Sequence, residues 1–145
     1  MSFATIYDAF QATAQRYPDN GFVAAPPLAG RAYHPGGIEY SYRQAAERIA
    51  QLRARFAAAG YGPGHRVALL LENRPEFFFH YLALNGLGAG IVPINPDYRH
   101  DEMLYQMEHS EADLVLTVAA RRGQIEPVAR DRAAAKPLPV AAIED

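Results

Sequence analysis

The residues best suited to meeting a ligand lie in Asn95-Pro96-Asp97-Tyr98-Arg99-His100, directly after a short apolar run. Arg99 and His100 stand side by side, and the chemistry they suit is anion binding. Gly86, Gly88 and Gly90 are spaced like a phosphate loop, but phosphate-binding glycines follow a strand and open a helix, where backbone donors meet the anion. Here they close a helical pattern and precede a strand, which predicts a helix end packed closely on the sheet. The five histidines, at 34, 65, 80, 100 and 109, form no pair at metal-ligand spacing. His80 sits inside an apolar helix and is expected to be a core histidine with its hydrogen bonds satisfied. Glu102, Glu108 and Glu111 are expected on a solvated helix face. There is no Gly-x-Ser-x-Gly elbow and no Walker A loop, and Lys136 is the sole lysine. No residue is assigned to catalysis or to a metal.

These residues hang on an alternation of strands and helices. Arg66–Leu71 is nearly continuous in apolar side chains and reads as a buried parallel strand. Asn73-Arg74-Pro75-Glu76 reads as a helix start, with Asn73 as cap, Pro75 in the first turn and Glu76 reaching back. Phe77–Leu87 is apolar almost all round, so that helix should be buried. Ile91–Ile94 is a second buried strand and closes a β-α-β unit. The loop from Asn95 to His100 then lies beyond a strand's C-terminal end, where open α/β sheets place their ligands.

Upstream, Phe3, Ile6, Tyr7, Phe10 and Ala14 recur at helical spacing, and Tyr17-Pro18 ends that helix. Phe22–Ala25 and Ile38–Tyr40 read as hairpin partners around a Pro- and Gly-rich loop. Ser41 and Gln44 match a capping box, and Ala45, Ile49, Leu52 and Phe56 share one face of the helix that follows. Gly60 should end that helix. Downstream, a helix over 101–109, a strand over 113–117, a helix over 118–132 and a strand within 138–143 complete the pattern. Ala133-Ala134-Ala135-Lys136-Pro137 reads as a connection. The expected fold is α/β, a mostly parallel sheet with helices on both faces, forming the first lobe of a larger domain.

With 145 residues the chain is one domain's worth, long enough to bury a core. A net charge of −2 gives no basic footprint for nucleic acid. The absence of cysteine excludes disulfides and thiolate metal sites. No run is long enough to span a membrane, and the first residues lack the basic start and apolar stretch of a signal peptide, so a cytoplasmic protein is expected.

In order and spacing, a series of these stretches resembles the N-terminal part of the acyl-adenylate-forming enzymes, the AMP-binding synthetases that include acyl-CoA ligases. The series is Tyr40-Ser41-Tyr42-Arg43-Gln44, Gly60-Tyr61-Gly62-Pro63-Gly64-His65-Arg66-Val67-Ala68 and Asn73-Arg74-Pro75-Glu76-Phe77. It continues with Leu87-Gly88-Ala89-Gly90-Ile91-Val92-Pro93-Ile94-Asn95-Pro96, Glu102-Met103-Leu104-Tyr105-Gln106 and Ala112-Asp113-Leu114-Val115-Leu116-Thr117. Asn95-Pro96-x-Tyr98-x-x-x-Glu102 looks more like the acyl-CoA ligase branch than the peptide-synthetase branch. His65 stands where an Asp is usual in the family, and Arg99 where a helix-capping Ser or Thr is common.

The resemblance implies a parent that uses ATP, Mg2+ and coenzyme A to convert a small-molecule carboxylic acid into its acyl-CoA through an acyl-adenylate. It also implies that residues 1–145 are part of that parent's N-terminal domain. The family's phosphate loop, nucleotide motifs and catalytic lysine would lie beyond residue 145, so the chain alone is expected to bind no cofactor tightly and to be inactive. Arg99 and His100 are the expected contacts to a coenzyme A phosphate. The alternative is a truncated, non-catalytic remnant that serves as a binding or interaction module. Strands apolar on both faces, cut out of a larger sheet, would also favour self-association of the chain.

Overall fold

A computed structural model describes residues 2–133 and 136–144; Ala134 and Ala135, within the expected connection, lie outside the described residues. In chain order the elements are α1 (Ile6–Arg16), β1 (Gly21–Ala25), β2 (Ile38–Ser41), α2 (Tyr42–Ala58), β3 (Arg66–Leu70) and α3 (Pro75–Asn85). There follow β4 (Gly90–Pro93), α4 (His100–Ser110), β5 (Leu114–Thr117), a 3-10 turn (Ala119–Arg121), α5 (Arg122–Asp131) and β6 (Val140–Ala142). This is an α/β fold with a four-stranded parallel sheet flanked by helices, as the alternation predicts. The chain divides into two compact units, one containing residues up to Gly62 with Asn73–Gly88, the other Pro63–Glu72 with the residues from Ala89 onward.

The first unit is three helices and the β1–β2 hairpin. The first helix, expected to include Phe3, begins only at Ile6, while the start at Ser41 is as expected, and both have a reason in hydrogen bonding. Thr5 and Asp8 exchange side-chain and backbone bonds at 3.0 Å, and Ser41 and Gln44 do the same at 3.3 and 2.9 Å. Buried Phe10 and Ala14 of α1, Ile49 and Phe56 of α2, and Phe79 and Leu82 of α3 form apolar stripes at helical spacing. Arg53 ties the three helices together. Its Nη1 donates to the Tyr7 hydroxyl at 3.1 Å, its Nη2 to the Gly86 carbonyl at 3.2 Å, and its guanidinium lies 4.6 Å from the Tyr7 ring centre.

The start of α3 departs from the sequence reading. Arg74, not Asn73, is the residue that flanks the helix, and no side chain caps it. The cause is Pro75, which drives the residue before it into extended backbone; Arg74 has ψ 157°. Glu76 does not reach back to a cap; it pairs with His34 of the β1–β2 loop at 2.7 Å and approaches Arg74 at 3.2 Å. The glycines also separate into different roles. Gly86 abuts α1, where a Cβ would fall 2.7 Å from the Tyr7 ring, whereas Gly90 in β4 faces Arg66 of β3, with a Cβ 3.2 Å from its Cγ.

The second unit holds the sheet, in the order β4-β3-β5-β6. All of Val67–Leu71 is essentially out of solvent, so both faces of β3 are covered. On one face Ala68, Leu70 and Val115 meet Met103 and Met107 of α4 and Ile125 and Val128 of α5. The expected helix over 118–132 is divided into a 3-10 turn and α5, and the last strand is the short Val140–Ala142. Pro127 inside α5 has no N–H to donate, and the helix tolerates it one turn beyond its start.

His80 of α3 is buried as expected, but its Nδ1 has no hydrogen-bond partner among the described residues. Its ring sits edge-on to Phe56, with centroids 5.8 Å apart. Burial lowers its pKa from 6.5 to about 4, with Glu76 working against the shift and Arg55 adding to it. The folded chain therefore refuses a proton that the unfolded chain accepts, and stability falls as pH drops from 6.5 towards 4. The full effect is about 3 kcal/mol. Urea midpoints across that window should fall steeply in the natural chain and less steeply in His80→Leu; equal slopes would contradict the assignment. At Gly86, alanine would force a methyl into the Tyr7 ring, and overpacking of this kind costs about 1–3 kcal/mol. A Gly86→Ala midpoint equal to the natural one would show that the ring yields freely.

Candidate functional site

Because β3, β4 and β5 run parallel, their C-terminal ends leave the sheet on one edge. Three segments meet there. After β3, Glu72 adopts left-handed backbone with φ 60°, unusual for a residue with a side chain. After β4, Asn95 folds the chain back, its Oδ1 accepting from the Asp97 N–H at 3.0 Å and its carbonyl from the Tyr98 N–H at 3.2 Å. After β5, the 3-10 turn delivers Arg121.

Arg121 joins all three. Its Nε is ion-paired with Glu72, and its Nη1 donates to Gln124 Oε1 at 2.9 Å and reaches the Pro96 carbonyl at 3.5 Å. Gln124 Nε2 donates to the same Pro96 carbonyl at 2.8 Å and to the Tyr98 carbonyl at 3.4 Å. The turn over 95–98 is thus held by its carbonyl oxygens from α5 and the turn before it. The Arg121 and Glu72 side chains are 29% and 23% exposed, so the pair is partly desolvated and stronger than a surface pair.

The two residues singled out in the sequence part company. Arg99 flanks the start of α4 with its backbone N–H given to Glu102 Oε2 at 2.8 Å, half of a capping box. The Arg99 side chain is exposed and makes no ion pair among the described residues, although Asp97, Asp101 and Glu102 are close in sequence. His100 is the first residue of α4, and its Nε2 lies 3.0 Å from Asp131 Oδ2. A carboxylate of the chain itself already faces His100. Glu102, Glu108 and Glu111 are exposed as expected, but each has a structural partner: the Arg99 N–H, the Ala133 N–H and the Arg66 guanidinium.

Beside this turn, a groove of about 610 Å3 runs along α4 and β4, lined by Val92, Tyr98, Asp101, Glu102, Tyr105 and Gln106. His109 and Ser110 line it too, and the carboxylates of Asp101 and Glu102 put negative charge into it. Among the described residues no three carboxylate or histidine side chains are grouped to hold a metal ion. Glu72, Arg121 and Gln124 were not singled out in the sequence. The available signal was a lone Glu directly after an apolar strand, opposite the paired Arg121-Arg122 after the next one.

The comparisons with known proteins agree with this fold. The model of the AMP-binding enzyme family matches residues 10–144. The chain is 38% identical over 79 residues to a crotonobetaine/carnitine–CoA ligase of Proteus mirabilis (strain HI4320), covering 54% of this chain and 15% of the ligase. It is 39% identical over 79 residues to tyrocidine synthase 2 of Brevibacillus parabrevis, again over 54% of this chain but 2% of the synthase. The N-terminal domain of FACL13 from Mycobacterium tuberculosis superposes with a TM-score of 0.81 at 23% identity, over 98% of this chain and 34% of that one. The chain therefore spans a small part of the length of the relatives it matches. Since the family match takes in nearly every residue from Phe10 to Glu144, the chain belongs to the AMP-binding enzymes.

Proposed function

We propose that this chain is part of an ATP-dependent acyl-CoA synthetase, whose parent joins a small carboxylic acid to coenzyme A. The family match over 10–144 supports adenylate formation, and since the identities to a CoA ligase and to tyrocidine synthase 2 are nearly equal, the observation that carries the ligase reading is a local pattern. The Asn95-Pro96-x-Tyr98-x-x-x-Glu102 pattern, with its turn at the C-terminal edge of the sheet, supports the ligase branch over the peptide-synthetase one. A carboxylate is a poor electrophile. Its oxygen attacks the α-phosphorus of ATP and expels pyrophosphate, and the thiol of coenzyme A then displaces AMP from the acyl carbon. ATP and Mg2+ fall to parts of the parent other than this chain. The joint need for ATP and coenzyme A is the reason for proposing a cytoplasmic enzyme; no described helix is long and apolar enough to cross a membrane.

Within this reading Arg99, exposed at the turn and without an ion-pair partner among the described residues, is the contact for a coenzyme A phosphate. The planar guanidinium suits phosphate oxygens. His100 already faces Asp131 and is not assigned a direct contact. Self-association of the isolated chain also belongs to the proposal, because β4 and β6 are edge strands of the described sheet.

The parent should show acid-dependent ATP–pyrophosphate exchange and release a coenzyme A thioester. Exchange without thioester would favour transfer to a carrier domain instead. Arg99→Ala in the parent should raise KM for coenzyme A about fivefold, a loss of roughly 1 kcal/mol for an exposed contact, and leave exchange unchanged. Equal losses in both half-reactions would assign Arg99 to the helix start alone. Light scattering on the isolated chain should show association, and a monodisperse monomer would contradict the exposed-edge argument.

A further inference from the structure

The contacts of Arg121 fall outside the needs of the core. None of Glu72, Arg121 and Gln124 belongs to the apolar cluster beneath α4 and α5, which is closed by Met103, Met107, Ile125 and Val128. Their donors converge on two carbonyl oxygens, those of Pro96 and Tyr98, and both lie in the turn that precedes Arg99. Glu72, paired with Arg121, also has left-handed backbone with φ 60°, a conformation that persists where surrounding contacts impose it. A chain that needed only to connect β3 to α3 would place glycine or asparagine at such a position. The carboxylate is what this site keeps.

Asn95 already closes the turn from within, through the Asp97 and Tyr98 N–H groups. That bonding sets the turn's shape, and the Ile94 N–H, which donates to the Leu69 carbonyl at 2.9 Å, anchors its near end to β3. Arg121 and Gln124 anchor its far end, because they reach the Pro96 and Tyr98 carbonyls from the 3-10 turn and α5 that follow β5. Arg99 follows Tyr98 directly, so a displaced turn displaces its guanidinium.

We propose that Arg121, braced by Glu72 and seconded by Gln124, is a positioning residue that fixes the turn over 95–98 so that Arg99 meets the coenzyme A phosphate. This rests on the acyl-CoA synthetase reading above. Arg121 touches no reacting atom and acts through the backbone of the turn.

The test is a double-mutant cycle in the full-length parent, read separately in the adenylation and thioester half-reactions. Arg121→Met should raise KM for coenzyme A by about threefold to fivefold, no more than Arg99→Ala does, and leave pyrophosphate exchange within about twofold, because misplacing a binding group weakens one substrate and not the other. Gln124→Ala leaves no charge unpaired and should do the same to a smaller extent, which keeps the proposal testable if Arg121→Met fails to fold. Arg121→Lys, which keeps the charge but not the fork, should recover part of the loss. In an Arg99→Ala background, Arg121→Met or Gln124→Ala should add little further. Additive losses, equal losses in both half-reactions, or an unchanged KM for coenzyme A would overturn the proposal. A natural parent that forms no coenzyme A thioester would overturn the synthetase reading and the proposal with it, and that control is read before any variant.

Discussion

A parallel ladder built on Val67–Leu71 is the constraint from which the second unit follows. β3 pairs with β4 on one side and β5 on the other, in both cases parallel. Parallel pairing requires crossover segments, and on one face α4 and α5 cover the sheet, so the strand can be apolar without alternation. Val67, Ala68, Leu69, Leu70 and Leu71 are all at most 1% exposed, which an antiparallel sheet with one wet face would not produce. Even the buried Thr117 hydroxyl finds an acceptor in the Leu70 carbonyl of the neighbouring strand, at 3.4 Å.

The same constraint makes a site. Strands that share a direction release their chains on one edge, and here the three exits carry Glu72, Asn95 to Tyr98, and Arg121. Polar side chains gather there because the backbone leaves the ladder and its carbonyl groups need donors. Arg121 and Gln124 meet that need at Pro96 and Tyr98. What began as hydrogen-bond satisfaction at strand ends thereby fixes a surface turn in space. The first unit has a different organising contact, the Arg53 guanidinium shared by Tyr7 and Gly86, and its chemistry is structural.

Much of this was legible in the sequence because it rests on local patterns. The apolar run at Arg66–Leu71, the Ser41–Gln44 capping box and the stripe of Ala45, Ile49 and Phe56 state their structures directly. The errors arose where distant residues compete with local ones. Glu76 has the right spacing for a capping box, yet His34, far off in sequence, takes it. Gly86 resembles a residue packed on a sheet, but its neighbour is Tyr7. Periodicity reports the burial of His80 and says nothing of partners, and its Nδ1 has none among the described residues. His100 was paired with Arg99 by adjacency, while Asp131, on another helix, faces its ring. Glu72 and Arg121 went unnoticed for the same reason, since only the strand register brings them together.

The central claim is that the turn over 95–98, held by Arg121 and Gln124, presents Arg99 to a coenzyme A phosphate. The most direct measurement is a crystal structure of the full-length parent with coenzyme A bound. The account predicts a phosphate oxygen about 2.7–2.9 Å from the Arg99 guanidinium, with the Pro96 carbonyl still held by Arg121 and Gln124. Coenzyme A phosphates bound away from Arg99, or a turn released from Arg121 in the complex, would contradict it.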